Sequence, residues 1–369
     1  MGRFAAVLCL GAGWFPWPTS AQVKLGAISC LTGSLSTFGV SSIRGARLAI
    51  DEREGGVLGQ KVELLVEDNG SKAGEAATIT RKLLNQDHVA AILGDLTTSS
   101  TMEAAPLAQA AHVPLLTPTA TGQAVTQVGD CIFRSCFVDS FSGQVMARFA
   151  LDHLQARRAV VLADIKQDYS IGLRDVIKSY FQAHGGQELL ELSFSSGDAD
   201  FRAQLTRVRA FKPDVVFLPA YYTEAGLILR EARQLGVKAN FVGGEGWDSP
   251  TLLQVAGKSA EGTYYVNHFS STDPDPTVKA FVESYQNRYG TAPDALAALW
   301  YDGARLLVDA VRRAGSTEPG KIREALAATK SFPGVTGSIS MDPNRNAAKP
   351  GVVLRIEEGE TKMVERVMP

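Results

Sequence analysis

The sequence predicts an α/β chain built as two lobes, each a doubly wound parallel sheet. Three observations carry this. First, continuous apolar runs of strand length recur, such as 89–93 (VAAIL), 159–163 (AVVLA) and 214–218 (DVVFL). Such runs fit strands buried on both faces, as in a parallel sheet. Second, they alternate with segments of helical periodicity, the β-α-β pattern of a doubly wound sheet. Third, the series restarts near residue 141, so two α/β units follow one another in a chain of 369 residues, long enough for two domains.

Taken in order, 23–29 (VKLGAIS) is a strand and 40–54 a helix, with Ile43, Ala46, Arg47 and Ile50 at helical spacing. Gly55 and Gly56 stop that helix. A strand at 62–67 is followed by a helix at 73–86, with Ala76, Ile79, Leu83 and Leu84 facing inward. The strand at 89–93, a helix at 102–111 and strands at 113–116 and 132–137 complete the first unit. The second has helices at 141–154, 173–184, 201–211 and 223–235, and strands at 159–163, 189–194 and 214–218. The last third mixes a strand at 263–266, helices at 276–289, 295–314 and 319–328, and a β-like tail over 337–341, 351–357 and 362–367. A helix pair placed there returns to complete the first lobe. The expected organisation is therefore 22–139 plus 268–345 for one lobe and 140–267 plus 346–369 for the other, with a cleft between them.

Composition excludes several function classes. The 37 Lys and Arg balance 39 Asp and Glu with no large basic block, so nothing offers the clustered positive face that nucleic acid requires. Residues 1–21 begin with a short basic start, continue as an apolar run broken by Pro16 and Pro18, and end in the small pair Thr19 and Ala21. They read as a secretory signal peptide cleaved after Ala21; the run is too short for a membrane anchor. Export permits disulfides, yet Cys131 and Cys136 flank or share one strand, which separates them beyond bridging range. Cys30, Cys131 and Cys136 read as small buried fillers. No nucleophile elbow, zinc-protease helix or phosphate-cradling loop occurs, and the five histidines have no ligand-like spacing. Neither an enzyme nor a metal or other cofactor is expected, and 342–346 (DPNRN) reads as a turn rather than a calcium loop.

The positive signal lies in the loops after the strands, where open α/β sheets bind ligands. Two neighbouring strands end in hydroxyl-rich turns, 94–101 (GDLTTSST) and 117–122 (TPTATG). Thr98, Thr119 and Thr121, with backbone N–H groups at a helix start, suit an anionic group such as a carboxylate. Leu96 belongs to the first of these loops. The other reading of these hydroxyls is helix caps and turns. In the second lobe Tyr169, Tyr221 and Glu245 all follow strands. A carboxylate flanked by tyrosines suits an ammonium, the alternative for Glu245 being a solvated surface acid. The glycines of 243–248 (GGEGWD) point to close backbone approach instead. Phe38 and Trp247 either wall an apolar pocket or anchor their loops in the core.

At these residues the chain resembles the branched-chain (Leu/Ile/Val) amino-acid binding proteins of bacterial ABC importers, of the type I periplasmic binding fold. The resembling segments are 31–39 (LTGSLSTFG), 94–101, 117–121, 168–173 (DYSIGL), 220–236 (AYYTEAGLILREARQLG), 243–250 (GGEGWDSP) and 257–266 (GKSAEGTYYV). The resemblance implies two lobes joined by three crossovers that close on a small ligand. It places Thr98, Thr119 and Thr121 where the family binds the α-carboxylate. Tyr169, Tyr221 and Glu245 fall where it binds the α-ammonium, and Phe38 where an aromatic lines the side-chain pocket. It further implies a monomeric periplasmic protein that delivers its amino acid to a membrane permease and its ATPase. Departures occur: Ser is common at position 98, Tyr or Trp at 38, and smaller residues at 247. Thr97 stands where some members have a disulfide cysteine. An aromatic carboxylate, an amide or a urea-type ligand, or a sensory role, are the alternatives the family contains.

Overall fold

The computed structural model describes residues 22–52 and 56–369. The expected signal peptide, residues 1–21, and the expected helix stop at Gly55 lie outside the described residues. The first sheet contains β1 (Gln22–Ser29), β2 (Lys61–Asp68), β3 (Ala91–Leu93), β4 (Leu115–Thr117) and β5 (Ile132–Arg134), in the order β2-β1-β3-β4-β5 and parallel throughout. Helices α1 (Ser36–Asp51), α2 (Glu75–Asn85) and α3 (Thr98–Ala110) connect its strands. β3 (AIL) and β4 (LLT) are short and fully buried.

The second sheet is built from β6 (Arg158–Asp164), β7 (Glu188–Phe194), β8 (Val215–Leu218), β9 (Asn240–Gly243) and β10 (Tyr264–Asn267), all parallel. Helices α4 (Asp139–Asp152), α5 (Asp168–Ala183), α6 (Arg202–Phe211), α7 (Tyr222–Gln234) and α8 (Pro250–Ala256) accompany it. The chain then returns to the first lobe through α9 (Pro276–Tyr289), α10 (Ala295–Ala314) and α11 (Pro319–Ala327). A small three-stranded sheet follows: β11 (Phe332–Gly334), β12 (Gly337–Met341) and β13 (Ala347–Ala348). It ends in the second lobe, where β14 (Gly351–Glu357) pairs antiparallel with β10 and β15 (Glu360–Val367) antiparallel with β14, giving the order β15-β14-β10-β9-β8-β6-β7. The chain thus passes between the sheets three times, after β5, after β10 and after β13.

Two features of this packing position the site. A Cβ on Gly45 of α1 would stand 2.0 Å from the Ala297 carbonyl oxygen. Only glycine admits α10 at that distance, and its first turns are thereby held at the cleft. The second is the start of α3. A helix beginning at Met102 was expected; it begins at Thr98. The hydroxyl run joins the first turn because its side chains serve the backbone. Thr97 accepts from the Ser100 N–H at 3.2 Å, and Thr101 donates to the Thr97 carbonyl at 2.7 Å. β5 likewise stops at Arg134, short of the expected 137. Cys30, Cys131 and Cys136 are all free and buried.

Candidate functional site

The carboxyl edges of the two sheets face each other across one cavity. Its wall includes Phe38, Leu96, Thr98, Thr119 and Thr121 from the first lobe, with Leu296 and Leu299 of α10, and Tyr169, Tyr221 and Glu245 from the second. The atom-free space is about 410 Å³, part of it opening to solvent. The lobes meet around it. The Tyr222 hydroxyl donates to the Ser34 carbonyl at 2.8 Å, Thr37 and Thr251 share a hydroxyl bond of 3.2 Å, and the Ala295 N–H donates to Asp248 at 2.7 Å. Phe38 packs edge-on against Tyr222, ring centroids 4.6 Å apart. This is a closed arrangement.

On the first-lobe side the hydroxyls brace the loops as well as face the cavity. Asp95, buried behind them, holds Asn69 at 2.8 Å, and its backbone carbonyl accepts from Thr117 at 2.9 Å. The Thr98 hydroxyl accepts from the Gly122 N–H at 3.1 Å, which leaves its own hydrogen free to donate. The first-turn N–H groups of Thr98 and Ser99 follow the Thr97 cap, whose side chain takes the Ser100 N–H, and have no acceptor within the helix. Thr119 differs from expectation. Its single hydrogen goes to the Leu96 carbonyl at 2.7 Å, and it accepts from the Trp300 indole at 3.4 Å. It lines the cavity as a brace rather than as a free donor.

On the second-lobe side a 3-10 turn at Glu245–Trp247 follows β9. The three glycines around it are needed for close approach. A Cβ on Gly243 would meet the Trp247 indole at 2.2 Å, one on Gly244 the Tyr169 hydroxyl at 2.4 Å, and one on Gly246 the Ala220 carbonyl at 2.7 Å. Tyr169 and Tyr221 stack at 5.3 Å, and the Tyr169 hydroxyl accepts from the Gly246 N–H at 3.3 Å. The same turn overturns one expectation. It aims Glu245 into the cavity and Trp247 away from it, into the lobe core. There the indole N–H donates to the Leu218 carbonyl at 3.1 Å, and the ring lies 6.3 Å from Tyr265. Trp247 is not part of the cavity wall; Leu296, Leu299 and Ala295 supply that apolar surface together with Phe38 and Leu96.

The electrostatics centre on two acids. Glu245 receives one hydrogen bond, from Ser142 at 3.3 Å, and its Oε1 is buried without a partner among the described residues. Burial, then the charge of Asp139, raise its pKa to about 8. Asp139, in the first turn of α4, is 2% exposed, and neither carboxylate oxygen has a hydrogen-bond partner among the described residues. Burial raises it to about 7, opposed by the neighbouring Thr121 hydroxyl and the buried Arg134 guanidinium. Thr121 also favours ionised Glu245, so it stands beside both acids. Sequence reasoning missed Asp139, whose place near a helix start is what an ordinary dipole-compensating acid has. It also missed His268, on the crossover after β10, which lines the cavity with both ring nitrogens unpartnered among the described residues. No cluster of three or more His, Cys, Asp or Glu able to hold a metal ion occurs among the described residues.

Known proteins share this architecture. A family model described as "Periplasmic binding protein" matches residues 22–361. A leucine-, isoleucine-, valine-, threonine-, and alanine-binding protein of Pseudomonas aeruginosa is 27% identical over 346 residues, covering 93% of this chain and 91% of its own. The crystal structure of a leucine binding protein from Thermotoga maritima superposes with a TM-score of 0.91 at 38% identity, covering 94% of this chain and 99% of its own. That of a branched-chain amino-acid transporter substrate-binding protein from Streptococcus pneumoniae, in complex with isoleucine, gives 0.90 at 33%, covering 95% and 100%. Two facing doubly wound sheets, three crossovers and a family match over almost all the described residues lead to one conclusion: the chain belongs to the periplasmic binding protein family, in its two-lobed type I form.

Proposed function

We propose that the protein is the substrate-binding component of an ABC importer, closing its lobes on a zwitterionic α-amino acid with a small, mostly apolar side chain. In this reading Glu245 takes the α-ammonium, with Thr121 beside it and Tyr169 and Tyr221 flanking. The Thr98 hydroxyl and the free N–H groups at the start of α3 take the α-carboxylate. Phe38, Leu96, Leu296 and Leu299 enclose the side chain. Release follows docking to a permease and its ATPase, and the place of work is the periplasm. The Pseudomonas relative is named for five such amino acids and the Streptococcus structure holds isoleucine, which supports this ligand class.

The observation that carries the reading is Glu245, a buried carboxylate with one oxygen left unpartnered at the cavity. A buried acid without a counter-charge costs several kcal/mol, and an ammonium removes that cost. A ligand bearing only a carboxylate would offer Glu245 no counter-charge and leave that cost in place. The test is a thermal-shift screen of the protein against the common amino acids, benzoate, 4-hydroxybenzoate and simple amides, followed by calorimetry on the hits. A specific ligand at 100 times its Kd stabilises by about 2.7 kcal/mol. Apolar amino acids should shift the midpoint and be recovered unchanged. A shift with aromatic acids and none with any amino acid would overturn the assignment.

A further inference from the structure

We infer that His268 hydrogen-bonds the bound ligand, so that the cavity favours an amino acid whose side chain carries a neutral hydrogen-bonding group, such as a hydroxyl, over its hydrocarbon isostere. The inference rests on the amino-acid reading above and narrows it. His268 is 4% exposed and forms part of the cavity wall, and neither Nδ1 nor Nε2 has a partner among the described residues. A buried polar atom left unmatched costs about 1–3 kcal/mol, so a partner for this ring at the cavity is favoured.

The ring is not free to turn away. It stacks on Phe137 with centroids 3.5 Å apart and planes at 22°, and the His268 backbone N–H is tied to the Asn267 side chain at 2.9 Å. Its surroundings also keep it neutral. Burial first, and then the buried Lys349 ammonium, hold its pKa well below the ordinary imidazole value. Lys349 itself is engaged elsewhere, with the Ser135 carbonyl at 3.4 Å and with the Thr336 hydroxyl. A neutral imidazole offers one donor and one acceptor. It is suited to a hydroxyl or amide, and poorly suited to a carboxylate, which α3 serves, or to an ammonium, which Glu245 serves. What remains of an α-amino acid for His268 to meet is its side chain. A site that reads a hydroxyl rejects the analogue lacking it far more strongly than an apolar pocket rejects a methyl change.

Threonine and valine differ by a hydroxyl in place of a methyl at nearly constant shape, so their ratio isolates this bond. Isothermal titration of the full chain should give threonine an affinity about tenfold or more above valine. His268→Phe keeps the stacked ring and removes both nitrogens; it should reverse the preference. His268→Gln, which retains a donor and an acceptor, should restore part of it. Valine binding the unaltered protein as tightly as threonine would overturn the inference. So would His268→Phe weakening both ligands by the same factor. If His268→Phe fails to fold, the ratio in the unaltered protein still decides. If no amino acid binds at all, the proposed function falls and this inference with it.

Discussion

Acid should weaken ligand binding steeply, because the seat proposed for the ammonium is a base that is protonated when empty. In the closed cavity burial and the neighbouring Asp139 raise Glu245 to about 8, from the 4.5 of a free glutamate. At neutral pH it therefore carries a proton. An ammonium against it lowers its pKa, so binding expels that proton. Between the value in the complex and about 8, affinity then falls about tenfold for each pH unit. From pH 8, where half the sites already hold the proton, to pH 6 the loss is about fiftyfold, about 2.3 kcal/mol at 1.36 kcal/mol per unit. The other charged and titratable groups around the pair do not cancel this. Arg134 already faces Asp139, while Tyr169, Tyr221 and Cys136 are pushed upward by burial and stay neutral. Isothermal titration at pH 6, 7 and 8 and constant ionic strength, in two buffers of different ionisation enthalpy, reads both the affinity and the protons released. Near pH 7 about one proton should appear per ligand bound. An affinity constant from pH 6 to 8, with heats independent of buffer, would refute the assignment of Glu245 as the ammonium's partner.

Stability of the empty protein should run the opposite way. An acid whose folded pKa is raised stabilises the fold below its unfolded value, and that contribution is lost as pH rises through the folded value. Glu245 near 8 and Asp139 near 7 should thus lower the ligand-free midpoint as pH climbs from 6 to 8. Glu245→Gln should raise that midpoint at pH 8 while abolishing binding, as measured by scanning calorimetry; a lower midpoint would sink the account. Asp248→Ala removes the carboxylate that accepts from the first N–H of α10 across the lobes. It should weaken ligand affinity by about 1–3 kcal/mol without touching the ligand, mostly in the off-rate by stopped-flow. Trp247→Phe leaves the Leu218 carbonyl without its indole donor. It should cost about 1–3 kcal/mol in urea unfolding and leave the ranking of ligands unchanged.

The two-lobed fold was legible because the central strands of both sheets are buried on both faces, and a continuous apolar run such as 89–93 has few other homes in a soluble chain. The Thr loops were legible for a related reason: two successive strand ends rich in hydroxyls sit where open sheets place ligands. What stayed hidden depends on direction, not composition. Glu245 and Trp247 are two residues apart in one 3-10 turn, and nothing in GGEGWD says which side chain turns inward. Leu296 and Leu299 belong to a helix buried on nearly all sides. Which of its edges meets the cavity is decided by the close approach at Gly45. Asp139 and His268 are single polar residues in ordinary positions, and what distinguishes them is the lack of partners once everything else has packed. The start of α3 was misplaced because Ser and Thr are poor interior helix residues, whereas here Thr97 and Thr101 spend their hydroxyls inside the first turn.

The closed form holds an internal conflict that explains how a ligand controls it. Hydrogen bonds across the lobes, from Tyr222 to Ser34, between Thr37 and Thr251, and from Ala295 to Asp248, favour closure, each by about 0.5–1.5 kcal/mol net. Against them stand Glu245 and Asp139, whose unpartnered oxygens would regain water if the cleft opened, and the unpaired ring of His268. Closure on an empty cavity thus gains a few neutral bonds and strands two acids. Closure on a zwitterion keeps the same bonds and gives Glu245 a counter-charge. A ligand shifts an equilibrium only by its differential affinity for the two states. In the proposed reading that difference resides in the ammonium at Glu245, because the partners proposed for the carboxylate, Thr98 and the start of α3, lie within one lobe and are open to it before closure. On that reading the carboxylate would give the ligand its first foothold, and the ammonium would make shutting the cleft favourable.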